Sequence, residues 1–88
     1  MSMENIYIGS KPILNYVTAL LMAIQRSDIV NVMARGRAIS TAVDVVEVAR
    51  RSFVNNVSIE DIAIGTETIG EENEARNVST ICIKISKA

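Results

Sequence analysis

The chain has no histidine, no tryptophan, one cysteine, one proline and only three aromatic residues among its 88 positions. Each absence closes a class of function. Without histidine, acid–base chemistry near neutral pH would fall to paired carboxylates, and no pair stands at a spacing that suggests a catalytic cleft. Cys82 cannot close a disulfide within the chain, and no histidine or second cysteine activates it, so it reads as a small residue of the last strand. No enzyme activity and no cofactor are expected. The longest nearly apolar stretch, Val17 to Ile24 broken by Thr18, falls far below the roughly 20 residues that span a bilayer. Met1-Ser2-Met3-Glu4 offers no basic region and no apolar signal core, which predicts a soluble intracellular protein with no membrane partner.

What is present suits one small folded domain, expected to span residues 1–88. Hydrophobic residues make up 49 % and charged residues 22 %, the reverse of the polar, charge-biased signature of disorder. The formal net charge is only −1, but its distribution is uneven. Residues 1–55 carry six basic side chains against four acidic ones, and the remainder carries three against six. A polyanionic partner would therefore meet the first part of the chain.

Ile6 and Ile8 flank Tyr7 in a short run that stops at Gly9-Ser10-Lys11-Pro12, which reads as a strand and a turn. Pro12 suits the start of a helix, where its missing N–H costs nothing. Ile13, Val17, Leu20 or Leu21, and Ile24 then recur at helical spacing, and Leu14, Ala19, Met22 and Ala23 widen the stripe. Such a helix is expected to be buried on more than one face. Ser27-Asp28 ends it, and the β-branched run Ile29–Ala34 predicts a central strand. After Arg35-Gly36-Arg37, a second helix places Ile39, Ala42, Val43, Val46, Ala49 and Phe53 on one side. Ser40, Asp44, Glu47 and Arg51 take the other, with Glu47 and Arg51 as an i,i+4 pair. Asn55-Asn56 should end that helix.

Val57 to Ile69 reads as a long strand disturbed at Glu60-Asp61, a bulge signature. Gly70 to Ala75 is a polar turn. Val78, Ile81, Ile83 and Ile85 oppose Thr80, Cys82, Lys84 and Ser86 in the closing strand, giving a β-hairpin around residues 62–84. The order strand, helix, strand, helix, strand, strand predicts a two-layer α/β sandwich, a four-stranded mixed sheet with both helices on one face. The apolar surplus on a chain this small predicts a homodimer.

The informative feature is the pair of strand-to-helix turns. If the first two strands are parallel, Gly9-Ser10-Lys11-Pro12 and Arg35-Gly36-Arg37 lie at corresponding strand ends, each leading into a helix N-terminus, and Lys11, Arg35 and Arg37 converge. Helix N-termini offer unpaired N–H groups and partial positive charge, Gly36 permits close backbone approach, and arginine grips phosphate bidentately. Asn15 and Tyr16 follow the first turn and are within reach of a ligand, although Tyr16 equally suits a half-buried packing role. No helix face carries the Asn, Gln and Arg pattern of a sequence reader, so contacts are expected with backbone phosphates and groove shape. The competing structural reading has Arg35 and Arg37 pairing with Asp44, Glu47 or a neighbour's acids. Glu71, Glu72 and Glu74 read as a solvated turn, and no metal site is expected.

Gly9-Ser10-Lys11-Pro12-Ile13-Leu14-Asn15-Tyr16-Val17, Ala34-Arg35-Gly36-Arg37-Ala38-Ile39-Ser40, Ala42-Val43-Asp44 and Val78-Ser79-Thr80-Ile81 together resemble the archaeal chromatin protein Alba family, over nearly the whole chain. The resemblance implies a fold like the C-terminal domain of translation initiation factor 3. It also implies a homodimer, chromosome-associated in the cytoplasm, that coats and condenses double-stranded DNA and binds RNA without strong sequence preference. By the same resemblance Lys11 matches the second lysine of the first turn, Arg35 and Arg37 the two arginines of the nucleic-acid face, and Tyr16 the first-helix tyrosine. Phe53 matches a phenylalanine that serves dimer–dimer contacts on DNA. Ser10 departs from the family by replacing the first lysine, the one acetylated in some members, and Thr41 replaces a frequent lysine. The hairpin, by the resemblance an outward-reaching arm around residues 62–84, departs at its tip too, carrying three glutamates with Arg76 as its only base.

Two other readings compete with a sequence-tolerant DNA and RNA binder. One is an RNA-handling or protein-interaction module whose acidic hairpin faces a basic partner, including a second Alba-like subunit in a heterodimer. The other is a binder of a small phosphate ligand, disfavoured by the lack of a second domain or cleft.

Overall fold

The computed structural model describes residues 2–52 and 57–87. Six elements follow in the expected order: β1 (Met3–Tyr7), α1 (Ile13–Arg26), β2 (Ile29–Arg35), α2 (Ala38–Ser52), β3 (Val57–Ile69) and β4 (Arg76–Lys87). They build one mixed sheet with the strand order β1-β2-β4-β3. β1 and β2 are parallel, with Tyr7 opposite Met33, whereas β4 runs antiparallel to both β2 and β3. The chain thus leaves β2, crosses through α2 to the far edge, and returns through the hairpin to fill the gap. Asn55 and Asn56, expected to end α2, lie outside the described residues.

Alternation along β2 decides which side is core. Val30, Val32 and Ala34 are buried, while Asn31, Met33 and Arg35 point to the open face. On β4 the partners of the buried set are Ile85, Ile83 and Ile81, and those of the open set are Lys84, Cys82 and Thr80. Tyr16, Val17, Leu20, Ala23 and Ile24 of α1 and Ala42, Val45, Val46 and Ala49 of α2 complete a single core on the same side. Both helices therefore cover one face. Fully burying a side chain such as Leu20 or Ile85, each at 0 % exposure, contributes about 1.5–3 kcal/mol.

Four details differ from the sequence reading. In α2 the buried stripe is 42, 45, 46 and 49, so Val45 is inside and Val43 is 42 % exposed. Valines at 43, 45, 46 and 48 spread the apolar side wide on both flanks of the buried stripe, and docking angle, rather than spacing alone, selects which of them are buried. Glu47 pairs with Arg50 at i,i+3 instead of with Arg51, Arg50 Nε and Nη2 donating at 2.9 and 2.8 Å. Val78 shares the open face with Thr80, two residues away, and does not align with Ile81. Finally, α1 is covered on one face only within a single chain, leaving Leu14 60 % and Met22 57 % exposed.

The bulge falls where expected. Ile59 pairs with Ile85 and Asp61 with Lys84, so Glu60 is the extra residue. Beyond Gly65 and Thr80 the hairpin outruns β2, whose last residue, Arg35, pairs with Thr80. Residues 66–79 therefore project from the body of the sheet as a two-stranded arm. Gly70, at φ +96°, turns the arm where a Cβ would lie 2.9 Å from the Glu74 carbonyl oxygen. Among the described residues no helix is long and apolar enough to cross a membrane.

Candidate nucleic-acid interface

Parallel pairing of β1 and β2 puts their C-terminal ends, and hence the starts of α1 and α2, at one end of the molecule. The Ile8 N–H still donates to the Met33 carbonyl at 2.8 Å, which carries the register up to the two turns. Lys11, Arg35 and Arg37 line one open groove of about 1160 Å³, along with Tyr7, Tyr16 and Glu67. The convergence expected from the two motifs is thereby present.

The two turns are fixed by different means. In the first, the Tyr16 hydroxyl oxygen accepts hydrogen bonds from the N–H groups of Gly9 at 2.9 Å and Lys11 at 3.0 Å. The residue as a whole is 8 % exposed. Tyr16 thus positions the lysine loop from beneath instead of presenting its own side chain to a ligand, which is the packing role that the sequence left open. In the second turn the backbone itself does the work. Gly36 takes φ +58°, the left-handed region that suits glycine. Its N–H donates to the Ser79 carbonyl at 2.8 Å, tying the turn to β4, and its carbonyl accepts from the Ile39 N–H at 3.2 Å. A Cβ at Gly36 would also meet Val78 Cγ1 at 3.3 Å.

Electrostatics favour an anion at this end. Neither helix carries an acidic residue in its first turn, and no side chain caps α1 at Pro12. The first-turn N–H groups and their partial positive charge thus have no internal carboxylate as counterpart. Lys11 and Arg37 are exposed and form no ion pair among the described residues. Arg35 does form one: its Nη1 donates to Glu67 Oε1 at 2.9 Å, with both side chains at least half exposed. The competing ion-pair reading therefore applies to Arg35 alone, and with Glu67 rather than Asp44 or Glu47. This partner was invisible in the sequence because it depends on β4 lying between β2 and β3.

The remaining candidates scatter. Asn15 is exposed in the first turn of α1, with its backbone N–H donating to the Pro12 carbonyl at 3.0 Å, and it does not line the groove. Arg76 opens β4 opposite Ile69 at the far end of the arm. Phe53 lies outside the described residues. Cys82 is partly exposed on the open face between Met33 and Ala63. Among the described residues no three or more metal-ligating side chains gather.

Comparison with known proteins agrees with this geometry. The "DNA/RNA-binding protein Alba 1" of Archaeoglobus fulgidus is 43 % identical over 88 residues, covering 99 % of each chain. The "DNA/RNA-binding protein Alba" of Methanothrix thermoacetophila is 45 % identical over 83 residues, 93 % of each. A solved structure, "Alba from Thermoplasma volcanium", superposes with a TM-score of 0.88 at 38 % identity, covering 94 % of this chain and 99 % of that one. The Alba family model matches residues 4–66, a span that holds both cationic turns and the helices behind them. The chain belongs to the Alba family.

Proposed function

We propose that the chain binds double-stranded DNA and RNA through backbone phosphates, as a homodimer that coats the polymer without reading its sequence. The observation that carries this reading is the shared groove at the N-terminal ends of α1 and α2. There Lys11, Arg35 and Arg37 line one groove, and the helix starts beside it are free of acidic residues. Such an end is a phosphate site assembled from backbone dipoles and guanidinium groups. The names of the relatives, which specify DNA and RNA binding, point the same way. No element presents a row of base-reading side chains, so affinity should be salt-dependent and sequence-tolerant.

Dimerisation is supported by apolar surface that one chain leaves uncovered. On the edge strand β3, Ile59, Ile62 and Ile64 pair with Ile85, Ile83 and Ile81 and thus share the helix-facing side of the sheet. Ile62 is 56 % and Ile64 83 % exposed. Edge strands of this kind are ordinarily covered. A symmetric pair would double the cationic groove and set two arms along the polymer. Phe53 is assigned to dimer–dimer contact on the family resemblance, and chromosome association in the cytoplasm follows from the DNA-binding role.

Fluorescence anisotropy with a duplex and a structured RNA, at two salt concentrations, tests the reading. Arg35→Ala with Arg37→Ala should lower affinity for both by about two orders of magnitude near 0.1 M salt. Unchanged affinity would overturn it and turn attention to the acidic hairpin as a protein-docking surface. Sedimentation of the wild-type chain against Ile64→Glu should show a dimer and a monomer respectively.

A further inference from the structure

Arg35 is the last residue of β2, and Glu67 lies on β3, opposite Val78 and beyond the reach of β2. Their 2.9 Å ion pair therefore passes over β4 and joins the body of the sheet to the root of the projecting arm. Side-chain exposures of 58 % and 50 % leave the pair open to exchange with solutes. The carboxylate occupies the guanidinium at the mouth of the groove that also holds Lys11 and Arg37. It sits there as a phosphate oxygen would.

We propose that Glu67 is an internal stand-in for phosphate: it holds Arg35 in the free protein and is displaced when a polyanion binds, so that it sets affinity and frees the arm from the body at the moment of binding. The inference rests on the nucleic-acid reading of the groove and adds a regulating residue to it. Carboxylate and phosphate use the same donor fork on arginine, so the two compete for one site. An isolated phosphate competes poorly with a tethered carboxylate, because the tether supplies a high local concentration. A polymer that engages Lys11, Arg37 and the helix ends together overcomes that advantage. The exchange thereby favours long polyanions over single phosphates. It also lowers the apparent counterion release, because the cation freed from the phosphate that Arg35 engages is partly offset by cation drawn to the released Glu67 carboxylate.

The test compares Glu67→Gln with Glu71→Gln, which removes the same charge from the arm tip. Glu71 lies beyond the end of β3, past the turn at Gly70, and forms no ion pair with Arg35. At such an exposed tip its charge is screened by salt. Glu67→Gln should raise duplex affinity about two- to fivefold, the range of an exposed ion pair, and steepen the slope of log K against log salt by up to about 0.9. Glu71→Gln should change neither by a comparable amount. In an Arg35→Ala background Glu67→Gln should have no effect, which fixes the mechanism to that contact. Equal effects from Glu67→Gln and Glu71→Gln, or persistence of the Glu67→Gln effect without Arg35, would overturn the proposal while leaving nucleic-acid binding intact. Loss of the underlying reading has a different signature, duplex affinity unmoved by Arg35→Ala with Arg37→Ala.

Discussion

At the C-terminal ends of the helices, cations and carboxylates are matched. Arg26, in the last turn of α1, donates from Nε and Nη2 to both oxygens of Glu4 at 2.7 and 3.0 Å, and Arg50 grips Glu47 near the end of α2. Positive charge there also complements the helix dipoles. At the N-terminal ends the pattern is reversed. No acid stands in either first turn, Lys11 and Arg37 are exposed without an ion pair among the described residues, and Arg35 alone holds a carboxylate, that of Glu67. An arrangement selected for folding alone would put carboxylates at those positions. On the proposed nucleic-acid reading, the contrast teaches that one end of the helical layer serves stability and the other gives up some stability for an external anion.

The largest effect should come from removing the cations of the second turn. Arg35→Ala with Arg37→Ala should lower duplex affinity by about two orders of magnitude near 0.1 M salt and flatten the salt slope by about 0.9 for each lost phosphate contact. Melting temperature should hold or rise, since repulsion from the dipole of α2 is relieved. Arg26→Ala with Arg50→Ala should do the opposite, lowering the melting temperature and leaving affinity nearly unchanged. If both pairs changed the same property, the division between the two ends would fail.

Next come the supports beneath the groove. Gly36→Ala forces an L residue into the left-handed region and presses on Val78, at a cost of about 1–3 kcal/mol. Tyr16→Phe removes the acceptor of two loop N–H groups, at about 1–2 kcal/mol by urea unfolding. The two variants should differ in kind. Tyr16→Phe loosens the Lys11 loop and should weaken binding at constant global fold, whereas Gly36→Ala also strains the link to Ser79 of β4. A smaller gain is expected from Ser10→Lys, which restores the cation missing from the first turn and should steepen the salt slope by about 0.9 per chain. Identical slopes for Ser10→Lys and wild type would show that the first turn does not reach phosphate.

Most of this architecture was legible in the amino-acid order, because the signals are local. Gly9 to Pro12 and Arg35 to Arg37 punctuate strand-to-helix joins, period-two runs mark the strands, and Glu60-Asp61 breaks the alternation where the bulge forms. What could not be read depends on three-dimensional placement. The position of β4 between β2 and β3 follows from sheet closure, and with it comes the Arg35–Glu67 pair. Val45 displaces Val43 from the core because valines flank the apolar stripe of α2 on both sides, so spacing alone does not choose. The environment of Tyr16 depends on how the first turn folds over α1, which brings the Gly9 and Lys11 N–H groups, seven and five residues upstream, onto its hydroxyl.

The smallest effect concerns acid, and it separates the two ends once more. Hydrogen bonding to Arg26 draws the Glu4 carboxyl below its ordinary range, and bonding to Arg50 does the same for Glu47. Glu60, on the bulge, is lowered by the hydroxyls of Ser86 and Ser58. For groups whose folded-state value is depressed, the contribution to stability is fully present above the ordinary carboxylate range. It is lost as pH falls through that range and then through the folded-state values. Melting temperature should accordingly drop in acid, and Glu4→Gln, Glu47→Gln and Glu60→Gln combined should melt lower at neutral pH with a flatter acid limb. Glu60 is exposed and Glu4 and Glu47 are open to solvent over about a third of their side chains, so salt should shrink the difference. An acid limb equally steep in the triple variant would assign the loss to other carboxylates and remove the evidence that the paired end of the helical layer is the one maintained for stability.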